Sequence, residues 1–524
     1  MIAQILLSEL LSTPKIIREY LKNSPSVNKL FQYQFTLDNI QKLLQNKQKN
    51  SENRQIVVKE LIKQNSSPTK KQQENLQILQ KPNTFTVTTG HQLNLCTGSA
   101  FFIYKIIQTI KTTEELNKLQ DKNYFVPVFW MATEDHDFAE INHFEYKNQK
   151  IEWKTLQNGA VGNFKLDNLL QDLQYFWKLF PNEYWKNTIE QFILQSNTLS
   201  EFTRKLINFL FADFGLLIID ANQKELKKLM IPYFKEELLL QTSFQKILET
   251  NNYLIDNQYN TQVNPREINL FYIDENGRNR IVKSNSNYQI LHTNKCFSER
   301  EILNELEEFP ERFSPNVLLR PLYQEVILPN IAYIGGNAEI SYWLQLKNYF
   351  HSQNVQFPIL IPRNSVIVLN EKAVQRIKKS TISFEDIFLP KNEIINKKVL
   401  ENSEVIIDFD ELEDNIGNIY SQLREQAKKT DITFLNLVNA QQHKQLKAFE
   451  KLKKRLVRAQ RRKNSEKVQR IENIFEDIFP NNIAQERVKN IFELSEGNLS
   501  DFIQNIYKDI NVFQPICFST VFDK

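Results

Sequence analysis

One stretch of the chain sets the fold class, and its sequence is Thr84-Phe-Thr-Val-Thr-Thr-Gly90-His-Gln-Leu-Asn-Leu-Cys-Thr-Gly98-Ser-Ala-Phe-Phe-Ile-Tyr-Lys-Ile-Ile-Gln-Thr-Ile110. The first six residues are mostly β-branched or aromatic, which favours a strand, whereas residues 100–110 are apolar enough for a buried helix. Glycine is scarce, with 10 in 524 residues, so the two that separate strand from helix are expected to allow a tight backbone turn. Strand, turn and helix in this order indicate an α/β fold.

Four further apolar runs continue this pattern along the chain. They are residues 127–132, 216–219, 330–334 and 357–361. Each is followed by polar residues or glycine, and a helix is expected over about 338–350. Strands that alternate with helices predict a mostly parallel sheet. Residues 140–200 and 240–315 are less regular and are expected to be insertions between core strands. Within the second, residues 269–283 with Asn276-Gly277 as the turn predict a β-hairpin.

The last third of the chain has a helical repeat instead. The apolar residues that recur at a 3-4 spacing are Phe409, Leu412, Ile416, Ile419 and Leu423, and a looser repeat follows over 446–459. With Thr430 or Asp431 as the N-cap between them, these repeats predict an antiparallel helical hairpin. A single second helix over 432–475 would be about 66 Å long, so the hairpin is expected to protrude from the core.

These patterns divide the chain into four parts. Residues 1–80 are expected to form an N-terminal helical segment that joins the core, and residues 81–375 the core with its insertions. Residues 385–475 are expected to form the α-helical coiled-coil domain. Residues 476–524 are expected to be a C-terminal helical segment that packs back on the core.

The predicted hairpin carries opposite charges on its two helices. Residues 401–425 contain eight acidic residues and one basic residue, whereas residues 444–470 contain twelve basic and two acidic residues. One interpretation is an arm that binds nucleic acid through its basic helix. The other is that the helices pair with each other or with a partner subunit, since a fold about residue 430 places 408–414 opposite 446–452 and 401–404 opposite 456–459. We favour pairing and dimerisation.

The composition excludes several classes of protein. Hydrophobic residues make up 41 %, which is enough for a large core, and 66 basic against 62 acidic residues give a net charge of only +4, so nothing global calls for a nucleic-acid partner. Cys96, Cys296 and Cys517 lie far apart, which argues against disulfides and structural zinc and for a reducing compartment. No apolar run approaches the length of a membrane span. We therefore expect a cytoplasmic protein without a membrane partner.

The first candidate site lies in the opening stretch, in the motif Thr89-Gly90-His91-Gln92, with Asn94 and Thr97 following. A strand-to-helix turn offers backbone N–H groups that can hold an anion. The motif is neither a Walker loop nor a dinucleotide fingerprint. The alternative is a tight turn in which His91 is only a surface residue.

The second candidate site follows the next strand and consists of Glu134-Asp135-His136-Asp137, with Glu140 and His143 nearby. Acidic neighbours raise a histidine pKa and can hold a cationic substrate, so the cluster is suited to acid–base chemistry and amine binding. A metal site through Asp135, His136 and His143 is an alternative, but the spacing of a zinc motif is missing, and no metal is predicted. A solvated acidic turn is the third interpretation.

Three further motifs are weak alone and stronger together. They are Gly335-Gly336-Asn-Ala-Glu339 with Tyr342-Trp343, Arg320-Pro-Leu-Tyr-Gln324-Glu325, and Pro362-Arg363-Asn-Ser. Four of the five motifs fall at the carboxyl ends of predicted strands. In open α/β sheets the ligand crevice lies at that edge, so these motifs are expected to meet there.

In order and spacing these blocks resemble one known family. They are Thr-Gly-His-Gln-x-x-x-x-Thr-Gly at 89–98, Pro-Val-Phe-Trp-x-Ala-x-Glu-Asp-His-Asp-Phe-x-Glu-Ile-Asn-His at 127–143, Arg-Pro-Leu-x-Gln-Glu at 320–325, Gly-Gly-x-x-Glu-Ile-x-Tyr-Trp at 335–343, and a late Gln-Glu-Arg at 485–487. Together with the C-terminal coiled coil they are similar to the bacillithiol biosynthesis cysteine-adding enzymes, the BshC cysteine ligases. The resemblance covers the whole chain.

The resemblance implies an α/β Rossmann-like parallel-sheet core with connecting-peptide insertions, plus an α-helical antiparallel coiled-coil domain that supports a homodimer. It implies the last step of bacillithiol synthesis, in which cysteine is joined to glucosaminyl-malate by an amide bond, and an ATP or ADP pocket. The residues expected to be catalytic are His91, Asp135, His136 and Asp137, and Arg487 is expected to contact the nucleotide. The residues expected to bind substrate are Gly90, Gln92, Asn94, Thr97, His143, Arg320, Gln324, Gly335, Gly336, Glu339, Tyr342, Trp343 and Arg363.

Within this set we expect a division of labour. Gly90, His91 and Gln92 with the following helix start would stabilise phosphate or oxyanion charge. Asp135, His136 and Asp137 would bind and deprotonate the amine, and Arg320 or Arg363 would hold the malyl carboxylates. The alternatives are a class I nucleotidyl- or aminoacyl-transfer enzyme that acts on another amine, a coiled-coil RNA-binding or scaffold protein, and a metal-dependent amidohydrolase.

Overall fold

The computed structural model describes residues 1–47, 51–119, 122–275, 277–380, 382–401 and 409–522. The chain divides into two units: residues 1–368 with 483–524 form the first, and residues 369–482 form the second. In the described part of the chain, no helix is both long enough and apolar enough to cross a membrane.

The strands, in chain order, are β1 (Ala3–Leu6), β2 (Thr84–His91), β3 (Tyr124–Met131), β4 (His143–Tyr146), β5 (Gln149–Glu152), β6 (Leu217–Asp220), β7 (Leu270–Asp274), β8 (Gly277–Ser284), β9 (Asn287–Ile290), β10 (Cys296–Ser298), β11 (Phe313–Pro315), β12 (Asn330–Gly335), β13 (Ile359–Pro362), β14 (Ser365–Leu369) and β15 (Ile516–Val521). The α-helices of the first unit are α1 (Lys15–Leu21), α2 (Leu37–Asn46), α3 (Ser51–Gln64), α4 (Lys70–Leu79), α5 (Phe101–Leu119), α6 (Phe138–Ile141), α7 (Leu169–Asp172), α8 (Gln174–Leu179), α9 (Glu183–Leu194), α10 (Leu199–Phe211), α11 (Lys224–Lys228), α12 (Ile231–Leu240), α13 (Thr242–Asp256), α14 (Glu299–Glu308), α15 (Arg320–Ile327), α16 (Asn337–Trp343) and α17 (Lys347–Ser352). The helices of the second unit are α18 (Glu371–Lys379), α19 (Lys391–Glu401), α20 (Phe409–Ala427), α21 (Ile432–Lys463) and α22 (Ser465–Ile478), and α23 (Gln485–Val488), α24 (Ile491–Leu494) and α25 (Leu499–Asp509) return to the first.

The central sheet of the first unit has five strands in the order β13-β12-β2-β3-β6, and its neighbours pair in parallel. These are the strands that the sequence predicts, with ends shifted by a few residues. Strand β2 is central: the chain adds β3 and β6 on one side of it and later adds β12 and β13 on the other. The strand order therefore reverses between β2 and β12, and such a switch point opens a crevice at the carboxyl ends of the strands.

Strand β3 shows why this sheet is covered on both faces. Val126, Val128 and Trp130 belong to one buried apolar cluster, whereas Phe129 and Met131 belong to another that includes helix α5. Successive side chains of a strand point to opposite faces, so an unbroken apolar run needs a core on each side. The run in β3 therefore fixes this strand in the interior of a layered α/β unit.

The two predicted insertions contain antiparallel structure. Strands β4 and β5 form a hairpin in the first, and β10-β9-β8-β7-β11 form a five-stranded sheet in the second. The predicted hairpin over 269–283 is confirmed by the pairing of β7 with β8, although Asn276 of its turn lies outside the described residues. The predicted helix over 338–350 is in fact two helices, α16 and α17, because Leu344, Gln345 and Leu346 separate them.

The two ends of the first unit differ from the purely helical prediction. Strand β1 pairs antiparallel with β15, and β14 completes this three-stranded sheet. A strand of four residues gives too few alternations to be recognised in a sequence. The sheet joins the first residues of the chain to the last, so the C-terminal segment is structurally part of the first unit.

Helices α20 and α21 form the predicted antiparallel hairpin of the second unit. The ring of Phe409 lies 5.4 Å from that of Phe449, which agrees with the predicted register, and Asp431 caps α21 by accepting a hydrogen bond from the N–H of Phe434 at 2.9 Å. Lys428, in the turn after α20, pairs with Glu425 of that helix, and Lys454 pairs with Glu450 within α21. Glu404 and Asp408, to which the predicted cross-helix pairing also refers, lie outside the described residues.

The prediction of one continuous second helix over 432–475 is wrong. Helix α21 ends at Lys463, and α22 begins at Ser465. Asn464 between them has a backbone φ of −107° and ψ of 31°, and its amide donates to the carbonyl of Gln460 at 3.0 Å. Asparagine side chains compete with the helical hydrogen bonds of the backbone in this way. Helix α21 alone, with 32 residues, is about 48 Å long.

Candidate active site

The carboxyl ends of the parallel strands meet around one cavity of about 390 Å³. Its lining begins with Gly90 and His91 of β2, continues with the residues after β3, and includes Gly336 after β12 and Arg363 after β13. The strand register places Gly90 beside Trp130, and Gly335 beside Pro362. The cavity therefore lies where the switch point of the sheet predicts a ligand crevice.

The cavity brings together part of the predicted site. The predicted residues that line it are Gly90, His91, Gln92, Asp135, Arg320, Gly336, Glu339, Tyr342, Arg363 and Arg487. The predicted residues that are not part of its lining are Asn94, Thr97, His136, Asp137, His143, Gln324, Gly335 and Trp343. The residues that line it come from distant parts of the chain, so the fold and not the sequence motif assembles the site.

A buried lysine that is not among the predicted site residues links the first motif to the third. The Lys105 side chain is fully buried, and its Nζ donates to the carbonyl of Gly90 at 2.5 Å and to both carboxylate oxygens of Glu339 at 2.9 and 2.7 Å. Burial lowers the pKa of Lys105, and the charge of Glu339 opposes that effect. Lys105 thus ties the β2 turn to the start of α16.

Glu339 is held as a carboxylate on three sides. Besides Lys105, it accepts hydrogen bonds from the Tyr333 hydroxyl at 2.6 Å and from the N–H of Gly336 at 2.9 Å. Burial raises its pKa, but the charge and hydrogen bonds of Lys105 and the Tyr333 hydroxyl outweigh that effect, and the pKa falls to about 2. Glu339 is therefore a fixed negative charge that orders the loop after β12, and it is not suited to act as an acid near neutral pH.

His91 lies in an apolar and cationic environment. Its ring centroid is 5.2 Å from that of Phe101 and 4.7 Å from that of Phe102. Burial and the neighbouring charge of Lys105 lower its pKa to about 3, so the imidazole is neutral near pH 7. Its Nε2 is buried and makes no hydrogen bond to any described residue. The predicted catalytic role is therefore restricted to that of a neutral hydrogen-bonding group, since a base with so low a pKa is weak.

Arg363 forms a bidentate ion pair with a carboxylate of the protein itself. Its Nη1 and Nη2 donate to the two carboxylate oxygens of Glu486 at 2.8 and 2.6 Å, and both side chains are 4 % exposed. The bidentate pairing that the sequence predicts for the malyl carboxylates is thus made with Glu486 of the protein itself. Its Nε is buried and has no hydrogen-bond partner in the described parts of the chain. Arg363 can therefore offer the cavity its positive charge and one N–H.

The C-terminal segment supplies a second arginine to the same end of the cavity. Arg487 lines the cavity, and its guanidinium lies 5.7 Å from the centroid of Phe101, while that of Arg363 lies 5.3 Å away. The Ser99 hydroxyl donates to the carbonyl of Arg487 at 2.8 Å. Arg363 and Arg487, with the ring of Phe101, form what we call the basic end of the cavity.

The loop between β2 and α5 is strained and is held by one C-terminal side chain. Cys96, Thr97 and Gly98 have φ values of 44°, 72° and 57°, a conformation that is costly for the first two. The amide of Asn490 donates to the carbonyls of Cys96 at 2.9 Å and Gly98 at 2.6 Å. A Cβ at position 98 would lie 2.6 Å from that of Asn94. Asn94 and Thr97, which the sequence places among the ligands, therefore shape this turn.

Arg320 lies in the middle of the cavity between two aromatic rings. Its guanidinium carbon is 5.7 Å from the centroid of Trp130 and 5.6 Å from that of Tyr333, which are favourable cation–π positions. Its Nη1 donates to the Gln324 side chain at 3.2 Å, so Gln324 orients Arg320 from outside the cavity lining. Its Nη2 is buried and makes no hydrogen bond of ordinary length to a described residue, while the Tyr342 hydroxyl lies close enough to interact with the guanidinium. A ligand carboxylate or phosphate is the natural partner for this N–H group.

The carboxylates of Glu134 and Asp135 form the opposite end of the cavity, which we call the acidic end. Glu134 lines the cavity and pairs with the fully buried Lys227, Oε1 to Nζ at 2.8 Å. Asp135 also lines it, and accepts hydrogen bonds from the Gln92 amide at 2.7 Å and the N–H of His136 at 2.8 Å. Burial raises the pKa of Asp135, but these hydrogen bonds and the charge of Arg278 outweigh burial and lower it below its usual range. Asp135 is therefore an ionised acceptor.

His136 and Asp137 lie beside this end but outside the cavity lining. The His136 side chain is 46 % exposed, and its Nδ1 is 3.0 Å from Nη1 of Arg278. His143 is on strand β4, where its Nδ1 is 2.9 Å from the side-chain oxygen of Asn142. Within the described ranges, no three His, Cys, Asp or Glu side chains form a cluster that could hold a metal ion, so these histidines and Asp135 do not form one.

Several residues of the site are given no individual role by the sequence-based prediction, although Glu134 is named there as part of the second candidate site. They are Trp130, Glu134, Arg278, Tyr323 and Tyr333 in the lining, with Lys105, Lys227, Glu486 and Asn490 behind it. Glu134 stands in a recognised motif, and a lysine inside an apolar helix is a recognisable signal at Lys105. Arg278 lies on strand β8 of an insertion, and no local pattern distinguishes it from a surface arginine.

A parallel sheet with a polar crevice at its switch point, antiparallel insertions and a separate helical hairpin define an α/β protein with a Rossmann-like unit. Two family models match: the one described as "Bacillithiol biosynthesis BshC, N-terminal Rossmann-like domain" over residues 2–364, and the one described as "Bacillithiol biosynthesis BshC, C-terminal coiled-coil domain" over residues 366–518. The predicted fold class is confirmed.

Curated relatives agree with these matches. A protein of Flavobacterium psychrophilum named "Putative cysteine ligase BshC" is 44 % identical over 489 residues, which cover 92 % of each chain. Proteins with the same name are 34 % identical in Cytophaga hutchinsonii, over 95 % of this chain and 94 % of the relative, and 26 % identical in Bacillus cytotoxicus, over 94 % and 95 %. The chain belongs to the BshC family of bacillithiol biosynthesis.

Proposed function

We propose that this protein is a ligase that joins the carboxyl group of cysteine to the amine of glucosaminyl-malate. The observation that carries the proposal is the charge distribution of the cavity: an N–H group of Arg320, without a hydrogen bond of ordinary length to a described residue, lies in its middle, and the carboxylates of Glu134 and Asp135 lie at its acidic end. An amine nucleophile that carries carboxylates at a distance matches this distribution. The name that the relatives share supports the choice of cysteine as the other substrate.

Amide formation imposes two requirements on the site. The cysteine carboxyl carbon must carry a leaving group, and the amine must be neutral when it attacks. The new C–N bond then forms as the bond to the leaving group breaks, and the nitrogen loses one proton. We propose that the neutral His91, whose buried Nε2 has no partner among the described residues, hydrogen-bonds to the oxyanion that develops on the carboxyl oxygen.

A nucleotide is the activating co-substrate that we propose, and it would supply the leaving group for the carboxyl carbon. The residues that fit its phosphates are those of the basic end, because Nε of Arg363 has no hydrogen-bond partner among the described residues and Arg487 lines the same cavity. Burial and the charge of Arg363 lower the pKa of Arg487, and two arginines in close proximity favour an anion between them.

A homodimer is the assembly that we propose. Large apolar side chains are exposed along the hairpin: Leu412, Ile419, Leu423, Ile432, Leu437 and Leu452 are 43 to 67 % exposed. Leu412, Ile419 and Leu423 share one face of α20 by helical spacing. Exposed apolar stripes of this kind favour association with another helix.

The test of the proposed activity is reconstitution with purified protein. Cysteine, glucosaminyl-malate and ATP are incubated with the full chain, and thiols are labelled and measured by mass spectrometry. We expect bacillithiol to form, and Arg320→Met to reduce its formation by about 10-fold or more. Product from another amine but not from glucosaminyl-malate would contradict the proposed substrate, and product from neither would contradict the activity.

A deletion strain provides an independent test. We expect loss of bacillithiol together with accumulation of glucosaminyl-malate, because the step before this one would continue. An unchanged thiol profile would mean that this chain does not carry the step in the cell. Complementation with the wild-type gene is the control.

A further inference from the structure

At the acidic end of the cavity, one carboxylate oxygen has no hydrogen-bond donor among the described residues. Oε2 of Glu134 is buried and accepts no hydrogen bond from any described residue. A buried charged oxygen without a hydrogen-bond donor carries a free-energy cost in the folded protein. A bound ligand that supplies the missing hydrogen-bond donor would remove this cost.

The other oxygen of this carboxylate is firmly held. Oε1 of Glu134 is 2.8 Å from Nζ of Lys227, and that Nζ also donates to the carbonyl of Phe313 at 2.6 Å and lies 5.6 Å from the ring of Tyr323. The Lys227 side chain is fully buried, so it fixes the orientation of the carboxylate. Because Glu134 lines the cavity, Oε2 is the atom left for a ligand.

We propose that Glu134 recognises the amine of the sugar substrate at Oε2, where the amine arrives as an ammonium ion and donates a charge-assisted hydrogen bond, so that Glu134 favours an amine over a hydroxyl group at that position. This inference rests on the proposed function, which supplies the amine-bearing substrate. Asp135 is the second acceptor at this end, but its oxygens already receive hydrogen bonds from Gln92 and His136.

The positive and negative charges around Glu134 nearly balance, which favours an amine that can lose its proton before it reacts. Lys227 and Arg278 are the cations that face it, and Asp135 and Asp220 are the carboxyl groups of its surroundings. Burial raises the pKa of Asp220, which favours its neutral form. Two cations thus nearly balance the two carboxylates Glu134 and Asp135. A balanced cluster can orient an N–H group without holding the amine permanently as an ammonium ion.

The experiment compares two ligands that differ only at the recognised position. Glucosaminyl-malate and glucosyl-malate, in which a hydroxyl group replaces the 2-amine, are titrated by calorimetry into the full-length protein. We expect the wild type to bind the amine ligand about 10-fold more tightly, and Glu134→Gln to bring the two affinities to within about 3-fold of each other. Glu225→Gln is the matched control, because Glu225 forms an exposed pair with Lys228, at 2.8 Å, on the same helix as Lys227.

The outcomes separate the role of Glu134 from the proposed function of the protein. If the wild type binds the amine ligand and E134Q keeps the full preference, the role of Glu134 is refuted while the proposed substrate stands. A wild type that binds both ligands equally also refutes it. If the wild type binds neither ligand, the proposed function fails, and the inference fails with it. Should E134Q lose cooperative thermal unfolding, Glu134→Asp replaces it, since it keeps the charge opposite Lys227 but shortens the side chain, and the same loss of preference is expected.

Discussion

At the scale of single residues, the site depends on charges whose protonation the fold has fixed. His91 illustrates this, because its pKa of about 3 in the folded protein lies below the value of 6.5 for an unperturbed histidine. The unfolded chain therefore binds more protons than the folded one between pH 3 and pH 6.5. Stability due to this residue is present above pH 6.5 and is lost as the pH falls through that window.

We expect His91→Gln to reduce the acid sensitivity of the protein. The wild type should lose about 4 kcal/mol more of its free energy of unfolding than the variant between pH 6.5 and pH 3. Chemical denaturation at a series of pH values measures this difference. The control is His351→Gln, which removes an exposed histidine of α17. Parallel pH curves for wild type and His91→Gln would contradict the neutral, buried state of His91.

Arg320 provides a second prediction at this scale. Its planar guanidinium lies between Trp130 and Tyr333, and one N–H group makes no hydrogen bond of ordinary length to a described residue. Lysine has the same charge but lacks the planar fork and the stacking. Arg320→Lys should therefore raise the KM for the carboxylate-bearing substrate roughly 10- to 100-fold, with a smaller effect on kcat. Unchanged steady-state constants would remove Arg320 from substrate binding.

At the scale of elements, the strained β2–α5 loop depends on the segment that follows the hairpin. Asn490 binds the carbonyls of Cys96 and Gly98, and it also orders its own helix, because its side chain accepts a hydrogen bond from the N–H of Phe492 at 2.9 Å. The turn with its positive φ angles is thus stabilised by residues nearly 400 positions away. Arg487, three residues earlier, lines the cavity.

We expect Asn490→Ala to affect stability and activity together. Two buried carbonyls would lose their donor, which costs about 1–3 kcal/mol each in the free energy of unfolding, and the turn that carries the first motif would relax. Thermal unfolding and turnover measure the two effects. The matched control is Asn498→Ala, which removes an exposed N-cap bond to the N–H of Asp501. It should cost about 1 kcal/mol without loss of turnover per folded molecule. Equal activity losses in both variants would contradict the specific role of Asn490.

The elements also show how far a sequence can be interpreted. The parallel strands are predictable because runs such as 127–132 are apolar on both faces, and glycine or charge follows them directly. The position of the crevice follows from the strand ends. By contrast, the bidentate pair of Arg363 with Glu486 could not be predicted. It joins residues 123 positions apart, and no local sequence pattern connects them. The break at Asn464 is similarly invisible, since asparagine inside an otherwise periodic helix is not by itself a stop signal.

At the scale of the whole molecule, the predicted dimer depends on the apolar residues of the hairpin. A monomer has a mass of 62.1 kDa, and we expect light scattering of the wild type to give about twice this value. Ile419→Glu combined with Leu423→Glu should give the monomer mass, because Ile419 is 57 % and Leu423 46 % exposed on one face of α20, and charges there would have to be desolvated in the interface. Leu194→Glu is the control, since Leu194 is 73 % exposed on α9 of the other unit.

The two possible origins of such a dimer respond differently to salt. If the apolar stripe holds the subunits together, the mass should remain that of a dimer in about 1 M salt, where the screening length falls to about 3 Å. If the acidic and basic helices of different subunits hold it together, the same salt should dissociate it, because exposed charge pairs are screened. A wild type that is monomeric at low salt would contradict dimerisation through the hairpin. A dimer that survives both glutamate substitutions would place the interface elsewhere on the chain.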